Sequence, residues 1–564
     1  MKLLHNILIP LALSGFVACQ DYDADHYNQV YSGVDSIYIE MTFDIADGDA
    51  FTRAAVPVPN GGEEGDGWEY GREYENQLHH FTVFVLGGGN GINAAANTQF
   101  VGSRYFTDEE VARVDSIREY NLQLKNYDVR KDVLTYTFSI PILSSREEIV
   151  PDPYRFIVVA NDGDLTSYKT LGALRDALPE KSWTEATGGA TTPTRFVMSN
   201  ENDNYYASGT GVVENPYRLH VTIERLAARI DYDPTGAEKT DDGLRYSIYA
   251  PVNESDPSPV VPLGAPTRAD GDAPLLAYLY VDRMAIINGC QKPSYYIKRV
   301  ADDINGTNLV YLGDETPTPR GVATNYVIDP YSAQKTEANR TNAVLLDNLF
   351  GDSRITNAAT LIASNAAKLP TVTDTKAPVI LGYVNENTFD KAMAWSEYTT
   401  GVLIQCRYAP VANYYQSYSI QTQETSDGTI ENEVLTPDTY VLGTTFYMVE
   451  PNTPDIDESQ RLYFKNKADA EAYATNTARK HFCKVVEYTN GICYYMTYMR
   501  HSNKVEIIHN TMEFGIVRNN IYRLKLNPQT GPGTPTVDPR HPEELKARIY
   551  IRKWLAVEHP VIYV

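Results

Sequence analysis

The chain is poor in cysteine and in basic residues. Only 5 Cys occur among 564 residues, and 49 Lys and Arg stand against 73 Asp and Glu, which gives a formal net charge of -24. Nucleic acids are bound by basic surfaces, so this balance argues against a nucleic-acid-binding protein. The HExxH, GxSxG, CxxC and Walker motifs are also absent, and nothing singles out a catalytic residue, a metal ligand or a cofactor site. We therefore predict that the chain is not an enzyme.

Long apolar runs are absent after the N-terminus. Lys2 and His5 precede the run ILIPLALSGFVAC (7–19), which is typical of a signal peptide over residues 1–18 and is too short for a membrane span. Cys19 ends this run and is predicted to be acylated, so that lipid alone would anchor the precursor to the outer membrane. Phe16 stands where lipoprotein signals usually carry Leu. An ordinary signal peptide with an incidental Cys is the alternative.

The other four cysteines are expected to be thiols. Cys483 and Cys493 lie in CKVVEYTNGICYYMTY, which is typical of a β-hairpin that turns on Asn490 and Gly491. In that hairpin the two sulfur atoms would lie about 17 Å apart, at ~3.4 Å per residue, which is beyond the reach of a disulfide bond. We expect mostly buried thiols rather than a disulfide framework.

Tyrosine is abundant, and the chain is rich in short strand-like runs. The 42 Tyr, together with many Thr and Val, favour β-strands. Turn residues separate the runs, which predicts an all-β fold of sandwiches rather than a parallel α/β sheet. Short helical insertions are predicted at residues 107–120, 357–369 and 466–480. The strands are predicted at residues 79–87, 133–142, 154–161, 217–233, 275–288, 293–300, 399–410, 492–501, 519–527 and 546–557. A domain boundary is predicted near residue 218.

The segment SIYIEMTFDI (36–45) alternates strictly between apolar and polar residues. This period of two predicts a half-buried β-strand. Its apolar face would carry Ile37, Ile39, Met41, Phe43 and Ile45. Arg53 follows in an acidic, Gly-containing segment between small or flexible neighbours, which resembles a protease site placed directly behind a good strand.

Five segments give the chain a resemblance to a known family. They are ERLAARIDY (224–232), NYVIDP (325–330), LGYVNEN (381–387), CYYMTYMRH (493–501) and GIVRNNIYRLKLNPQTGPGTP (515–535), the last followed by a strand with Trp554. The acidic QDYDAD (20–25) resembles surface-export signals of Bacteroidales lipoproteins. With the lipoprotein-like N-terminus and the early Arg53, the chain resembles the Bacteroidales fimbrillins, or type V pilins, and in size the long minor-fimbria major subunit.

The resemblance implies a lipidated precursor with two transthyretin-like β-sandwich domains in tandem, at residues 54–218 and 219–564. It implies a structural subunit of a surface fimbria that supports adhesion and biofilm formation. An Arg-specific surface protease would cut between Arg53 and Ala54 and remove residues 19–53, the lipidated propeptide with its strand. Arg72 is a second candidate for the cut, ranked lower because it lies close to the strand predicted at 79. The implied partners are other copies of the chain, accessory fimbrial subunits and an unknown host or bacterial surface ligand.

The resemblance also implies polymerisation by strand exchange. The strand at 36–45 would plug a groove whose open edge would otherwise aggregate, and a C-terminal strand of another subunit would later fill that groove. Ile549 and Ile551 are expected to complete the chain's own second sandwich. The donor strand is predicted from residue 555 onward, interrupted by Pro560, with the side chains Leu555, Val557, Val561, Ile562, Tyr563 and Val564. A tail that packs only on its own domain is the alternative.

Two other functions stay open at this stage. A tip adhesin of the same pilus type would need a groove but no donor strand, so the C-terminus discriminates it from a shaft subunit. A glycan-binding surface lipoprotein would keep Cys19 and would never polymerise.

Overall fold

The structure is a computed structural model that describes residues 36–45, 67–87, 89–112, 134–141, 154–185, 193–201, 209–249, 275–312, 326–355, 360–362, 377–394, 397–451, 461–476, 483–501, 512–527, 531–537 and 547–555. Strands dominate these residues and helices are few and short, which confirms the all-β fold class. Most of the predicted strands are present, but of residues 293–300 only the last two belong to a strand.

The first sheet has seven strands and contains the strand predicted at residues 36–45. Its strands are β1 (Ser36–Ile45), β3 (Phe81–Leu86), β4 (Gly102–Phe106), β5 (Leu134–Pro141), β6 (Arg155–Ala160), β9 (Met198–Asn200) and β10 (Tyr217–Arg225). They lie in the order β4-β3-β6-β9-β10-β1-β5. Alternate residues of β3 and β6 enter different cores, with Val83 and Val158 on one side and Phe84 and Ile157 on the other. At β3 and β6 the sheet is therefore covered on both faces.

The second and third sheets pack face to face. The second is ordered β18-β11-β26-β27-β2 and the third β12-β13-β14-β19-β25. Their facing side chains, among them Ile230, Ile404 and Tyr522, form one core. The second sheet comprises β2 (Gly67–Tyr70), β11 (Ala228–Asp233), β18 (Val379–Val384), β26 (Asn520–Leu526) and β27 (Ala547–Leu555). The third comprises β12 (Glu238–Thr240), β13 (Gly243–Tyr249), β14 (Leu275–Ile287), β19 (Gly401–Pro410) and β25 (Ile492–Tyr498).

A fourth sheet of five strands is ordered β21-β20-β23-β22-β24. It comprises β20 (Tyr415–Thr425), β21 (Gly428–Pro437), β22 (Phe446–Pro451), β23 (Leu462–Phe464) and β24 (Cys483–Tyr488). Smaller pairings join β7 (Trp183–Glu185) to β8 (Pro193–Phe196), and β15 (Arg299–Ala301) to β16 (Val310–Tyr311) and β17 (Tyr326–Val327).

The helices are short and lie beside the sheets. They are α1 (Leu171–Arg175), α2 (Ala343–Phe350) and α3 (Lys467–Thr475), and α3 confirms part of the insertion predicted at 466–480. Residues 108–112 are also helical and begin with the predicted capping box, in which the Thr107 N–H donates to Glu110 Oε2 at 2.8 Å. None of the helices in the described ranges has the length and apolar character needed to cross a bilayer.

The hairpin expected at residues 483–498 is wrong in its pairing. The turn is present, with φ angles of 56° at Asn490 and 69° at Gly491. However, β24 pairs with β22 in the fourth sheet, whereas β25 pairs with β19 in the third. The turn therefore directs the chain from one sheet into another. The four thiols are outside any disulfide, as expected, with Cys290, Cys406 and Cys493 buried and Cys483 half-buried.

The change from the first sheet to the second occurs at Leu226 and Ala227, between β10 and β11. Residue 218, near which a domain boundary is predicted, lies at the start of β10, and the boundary itself stays a prediction. Strand β2 also crosses this division, because it precedes β3 in the chain but pairs in the second sheet. The arrangement in two tandem domains stays a prediction.

Candidate functional site

Strand β1 lies in the interior of the first sheet. It pairs parallel with β10, where Met41 lies opposite Leu219, and antiparallel with β5, where Met41 lies opposite Tyr136. Its N–H and C=O groups are therefore used on both sides. Removal of such a strand would leave unpaired backbone groups on both neighbouring strands. Exposed groups of this kind pair readily with strands of other chains.

The inward face of β1 is buried as the alternation predicts. Ile37 is 2% exposed, and Ile39 and Met41 are 0% exposed, within a core that also contains Ile140 and Val221. At roughly 1.5–3 kcal/mol for each fully buried large apolar side chain, these three contribute about 5–9 kcal/mol. The backbones of residues 43 and 45 continue the ladder beside β10, while the side chains of Phe43 and Ile45 lie outside the description.

The outward-facing side chains of β1 make few stabilising contacts in the described part of the chain. Glu40 Oε2 lies 3.6 Å from Arg218 Nε, and both side chains are substantially exposed, so this ion pair contributes little. The Tyr38 N–H donates to the carbonyl oxygen of Gly211 at 3.0 Å. Gly211 has a φ of +71°, and a Cβ there would lie 2.3 Å from the Tyr217 ring. Glycine therefore lets the loop before β10 close over the start of β1.

The C-terminal strand β27 is part of the second sheet. Ile549 is buried in the core between the second and third sheets and lies opposite Leu524 of β26. Leu555, the first residue of the predicted donor strand, lies opposite Tyr70 of β2. The other predicted donor residues lie outside the described part of the chain: Val557, Val561, Ile562, Tyr563 and Val564. Cys19, Arg53 and Ala54 lie outside it as well.

The sequence did not predict β2. It follows the acidic, glycine-rich stretch VPVPNGGEEGD (56–66), and its four residues are too few for their alternation to predict a strand. Its pairing covers the outer edge of β27.

A buried charge network holds the segment after β2 against β10 and β11. Arg229 Nη1 donates to both carboxylate oxygens of Glu75, at 2.9 and 3.2 Å, and Arg225 Nε donates to the Glu75 carbonyl oxygen at 2.9 Å. Arg229 also makes two bonds of 2.9 Å to Asp231, and Tyr383 donates its hydroxyl to Glu75. Because a buried charge is costly without a partner, this network fixes the chain at Glu75.

A second buried cluster lies at the end of β10. Arg518 donates to Glu386 at 2.7 and 2.9 Å. Glu224 lies between two cations, 3.7 Å from Lys298 Nζ and 3.8 Å from Arg518 Nη1. Burial, which these cations oppose, raises the pKa of Glu224 to about 7.

These clusters explain the sequence motifs. The charged and polar residues of these two clusters come largely from the segments that carry the family resemblance: Glu224, Arg225, Arg229 and Asp231 from ERLAARIDY, Glu386 and the half-buried Tyr383 from LGYVNEN, and Arg518, Asn519 and Arg523 from GIVRNNIYRLKLN. Sequence reasoning missed them as a site because arginine and glutamate are mostly exposed residue types. Within the described ranges, no group of three or more His, Cys, Asp or Glu side chains could hold a metal ion.

Comparison with known proteins points to one family. Residues 486–560 match the family described as major fimbrial subunit protein type IV, fimbrillin, C-terminal. No curated protein matches the chain. Among solved structures, a fimbrilin (FimA) from Porphyromonas gingivalis W83 is 15% identical, with 92% of this chain and 99% of that chain covered and a TM-score of 0.35. The tip fimbrial protein Mfa3 from Porphyromonas gingivalis is 10% identical, with coverages of 92% and 100% and a TM-score of 0.32.

The family match and the sequence motifs agree with each other, because residues 486–560 include the whole of the longest motif (515–535) and all of β27. The structural similarities are too distant to add weight. Fimbrillins are structural subunits rather than enzymes. Residues 486–560 are therefore similar to the C-terminal part of the fimbrillins, the family that the sequence resemblance predicts.

Proposed function

We propose that this chain is a shaft subunit of a surface fimbria that polymerises by donor-strand exchange. In this proposal the subunit is made as a lipoprotein precursor acylated on Cys19. An Arg-specific surface protease then cuts between Arg53 and Ala54, β1 leaves the first sheet, and residues from about 555 onward of another copy take its place. The fimbria supports adhesion and biofilm formation, and accessory subunits share the same mode of assembly.

The interior position of β1 carries this proposal. A strand near the N-terminus that pairs with β10 and β5 leaves a groove bounded by two strands when it departs. The floor of that groove is the apolar core in which Ile37, Ile39 and Met41 are buried. An incoming strand with alternating apolar residues would restore both the ladder and the core, which is the physical basis of strand addition.

Cleavage alone is not expected to release β1. Its three buried side chains contribute about 5–9 kcal/mol, and its ladder adds hydrogen bonds on both sides. Cutting the chain converts β1 into a separate peptide that can be displaced by a competing strand and then lost by diffusion. Assembly therefore requires both the cut and a donor.

The anchoring of Glu75 favours Arg53 over Arg72 as the cleavage site. The Arg72 side chain is exposed, but its N–H donates to Glu75 Oε2 at 2.5 Å and its carbonyl oxygen accepts the Glu75 N–H at 2.9 Å. Proteolysis favours exposed segments whose backbone is free of such bonds. A cut after Arg72 would also detach β2 from the rest of the chain and uncover the edge of β27.

The test compares cleavage-site variants of the chain lacking the signal peptide. Treatment with an Arg-specific protease should convert the wild type into a form that begins at Ala54 and then into high-mass polymers, as measured by N-terminal sequencing and electron microscopy. Arg53→Ala should stay monomeric because β1 stays tethered and outcompetes a donor from another molecule. Arg72→Ala is the matched control and should polymerise normally. Normal polymers from Arg53→Ala would refute the proposed cleavage site.

A further inference from the structure

The hairpin formed by β20 and β21 projects from the fourth sheet with both faces in solvent. The two strands pair without a register shift from Gln416 opposite Pro437 to Thr425 opposite Gly428. Residues 419–433 are all exposed. Consecutive strand residues point to opposite faces, so both faces of this part of the hairpin are open to solvent, and its contact with the body is at Glu433, which accepts a hydrogen bond from Asn476 at the end of α3.

The exposed hairpin concentrates apolar side chains. Seven large apolar side chains are exposed in the described part of the chain, and four of them lie within residues 420–441. Ile420 is 51% exposed, Ile430 is 49% exposed and Leu435 is 39% exposed, and Val441 follows shortly after β21. A solitary hairpin is only marginally stable in water, and clustered exposed apolar residues mark interaction sites on soluble proteins.

The chain segment that contains the hairpin carries charge of one sign only, although Lys465 from outside the segment pairs with Asp438 after β21. No Lys, Arg or His occurs between Arg407 and Arg461, whereas the segment contains nine Asp and Glu. In the hairpin these include Glu424 and Glu431, which are exposed and lie on one face as diagonal neighbours, because Glu424 is opposite Thr429 and Glu431 is opposite Thr422. Like charges at this spacing repel each other, so the arrangement favours a positively charged occupant.

Strand β21 forms one edge of the fourth sheet. The Asp438 N–H donates to the Tyr415 carbonyl oxygen at 2.8 Å, which makes residues 415 and 438 a hydrogen-bonded pair. Hydrogen-bonded pairs alternate along an antiparallel ladder, so the inward-facing groups of β21 belong to residues 430, 432, 434 and 436. The outward-facing N–H and C=O groups belong to residues 429, 431, 433 and 435. The residues whose backbone groups face outward at this edge therefore have their side chains on the face that carries Glu431, Ile420 and Leu435.

We propose that the edge of β21 is a docking site for an extended, cationic segment of another protein, which adds as a further strand. Main-chain hydrogen bonds to the outward-facing groups of residues 429 and 431, near the tip of the hairpin, hold the segment in place. Its Lys or Arg side chains pair with Glu424 and Glu431, and its apolar side chains cover Ile420 and Leu435. A second copy of this chain is disfavoured as the occupant because its net charge is -24. The site is separate from the groove of β1 and does not depend on strand exchange.

The test uses the full chain and the fluorescent peptide acetyl-(Lys-Val)4-amide, with binding measured by fluorescence anisotropy at low salt. Glu424→Gln with Glu431→Gln should weaken binding roughly three- to tenfold, as expected for two exposed ion pairs. The matched control replaces three exposed carboxylates elsewhere, Glu180→Gln, Glu214→Gln and Asp352→Asn, and should bind like the wild type.

Backbone pairing is tested by a second comparison. The N–H of Glu431 faces outward, so Glu431→Pro should preserve the hairpin but remove one donor and obstruct the edge. It should bind roughly tenfold more weakly than Glu431→Gln. If Glu431→Pro fails to fold, a peptide N-methylated at alternate residues makes the same test on the wild-type chain and should not bind.

Three results would overturn the proposal. They are equal loss of binding in the control triple variant, undiminished binding of the N-methylated peptide, and self-association of the free chain that Glu431→Pro abolishes in analytical ultracentrifugation. The last result would make a second copy the occupant of the edge.

Discussion

Glu224 is a carboxyl group buried among charges without a close partner. Its Oε1 makes no hydrogen bond to the protein, and the nearest cations, Lys298 and Arg518, lie 3.7–3.8 Å away. The short hydrogen bonds of Arg518, at 2.7 and 2.9 Å, are made to Glu386 rather than to Glu224. Burial therefore dominates and raises the pKa of Glu224 to about 7, well above its usual value of 4.5.

This shift makes a stability prediction. Because the folded state holds the Glu224 proton more tightly than the unfolded state, the free energy of unfolding should fall as pH rises from about 4.5 to about 7. A shift of this size corresponds to on the order of 3 kcal/mol. Glu224→Gln should remove this part of the pH dependence, as measured by urea denaturation at pH 5 and pH 8.

Asp162 supplies the control for that measurement. Burial also raises the pKa of Asp162, against the hydrogen bond from Tyr296 that lowers it. The Asp162→Asn variant should therefore keep the decrease in the free energy of unfolding that Glu224 causes as pH rises. It should lose only the decrease that Asp162 itself causes. An unchanged decline in Glu224→Gln would mean that the carboxyl group stays ionised in the folded protein, held by Lys298 and Arg518.

At the scale of elements, β1 could be predicted from sequence because its pattern is simple. Five apolar residues alternate with polar ones, and the strand occupies residues 36–45 as predicted. The alternation of apolar and polar residues could not reveal which strands pair with each other. Strands β24 and β25 alternate in ways that suit either a shared hairpin or two different sheets, and the tertiary fold pairs β24 with β22 and β25 with β19. The four residues of β2 are too few for a periodic signal.

The C-terminal strand makes a second prediction at this scale. Residues 547–555 belong to the second sheet, so deletion of residues 556–564 should leave β27 paired with β26 and β2. The truncated subunit should fold, with an unchanged thermal unfolding midpoint, and should still be cut by the protease. It should not form shafts, because the donor residues from Val557 to Val564 are missing.

The outcome that would contradict this role is equally clear. Polymers of ordinary length from the truncated subunit, viewed by electron microscopy, would exclude these residues as the donor strand. They would favour the alternative function of a tip adhesin, which needs a groove but no donor strand. Replacement of Glu558 and His559 by Ala, outside the predicted apolar set, is the matched control and should polymerise normally.

At the scale of the whole molecule, β10, which borders the groove of β1, is connected to the C-terminal strand β27 through only two further strands. Strand β10 flanks β1 and continues through Leu226 and Ala227 into β11, which pairs with β26 beside β27. Buried Arg225 and Arg229 fasten this continuous stretch to Glu75, and buried Arg523 pairs with Asp231 at 3.2 Å. In the proposed fimbria, this connection would transmit load from a donor strand in the groove of β1 to β27.

These buried ion pairs also mark the limit of sequence-based prediction. The motifs ERLAARIDY and GIVRNNIYRLKLN carry the family resemblance, but the burial of their arginines depends on Glu75 and Glu386, which lie more than 100 residues away from them in the chain. A local pattern predicts which residues share a face, whereas the partners of a buried charge are set by the tertiary fold.

The central claim is that β1 must leave the sheet before subunits join. The Tyr38 N–H faces β10, so the backbone groups of Glu40 face β10 as well, and residues 40 and 137 form a non-hydrogen-bonded pair across β1 and β5. Such a pair brings two side chains close together, so Glu40→Cys with Thr137→Cys should form a disulfide bond that locks β1 in place.

The most direct measurement is polymerisation of this locked variant after complete cleavage at Arg53, verified by N-terminal sequencing. Each single cysteine variant serves as a control and should polymerise like the wild type. The account predicts that the oxidised double variant stays monomeric after cleavage and forms polymers once dithiothreitol opens the bond. Polymers of wild-type length assembled while the disulfide bond is intact would show that β1 stays in place, which would contradict the account.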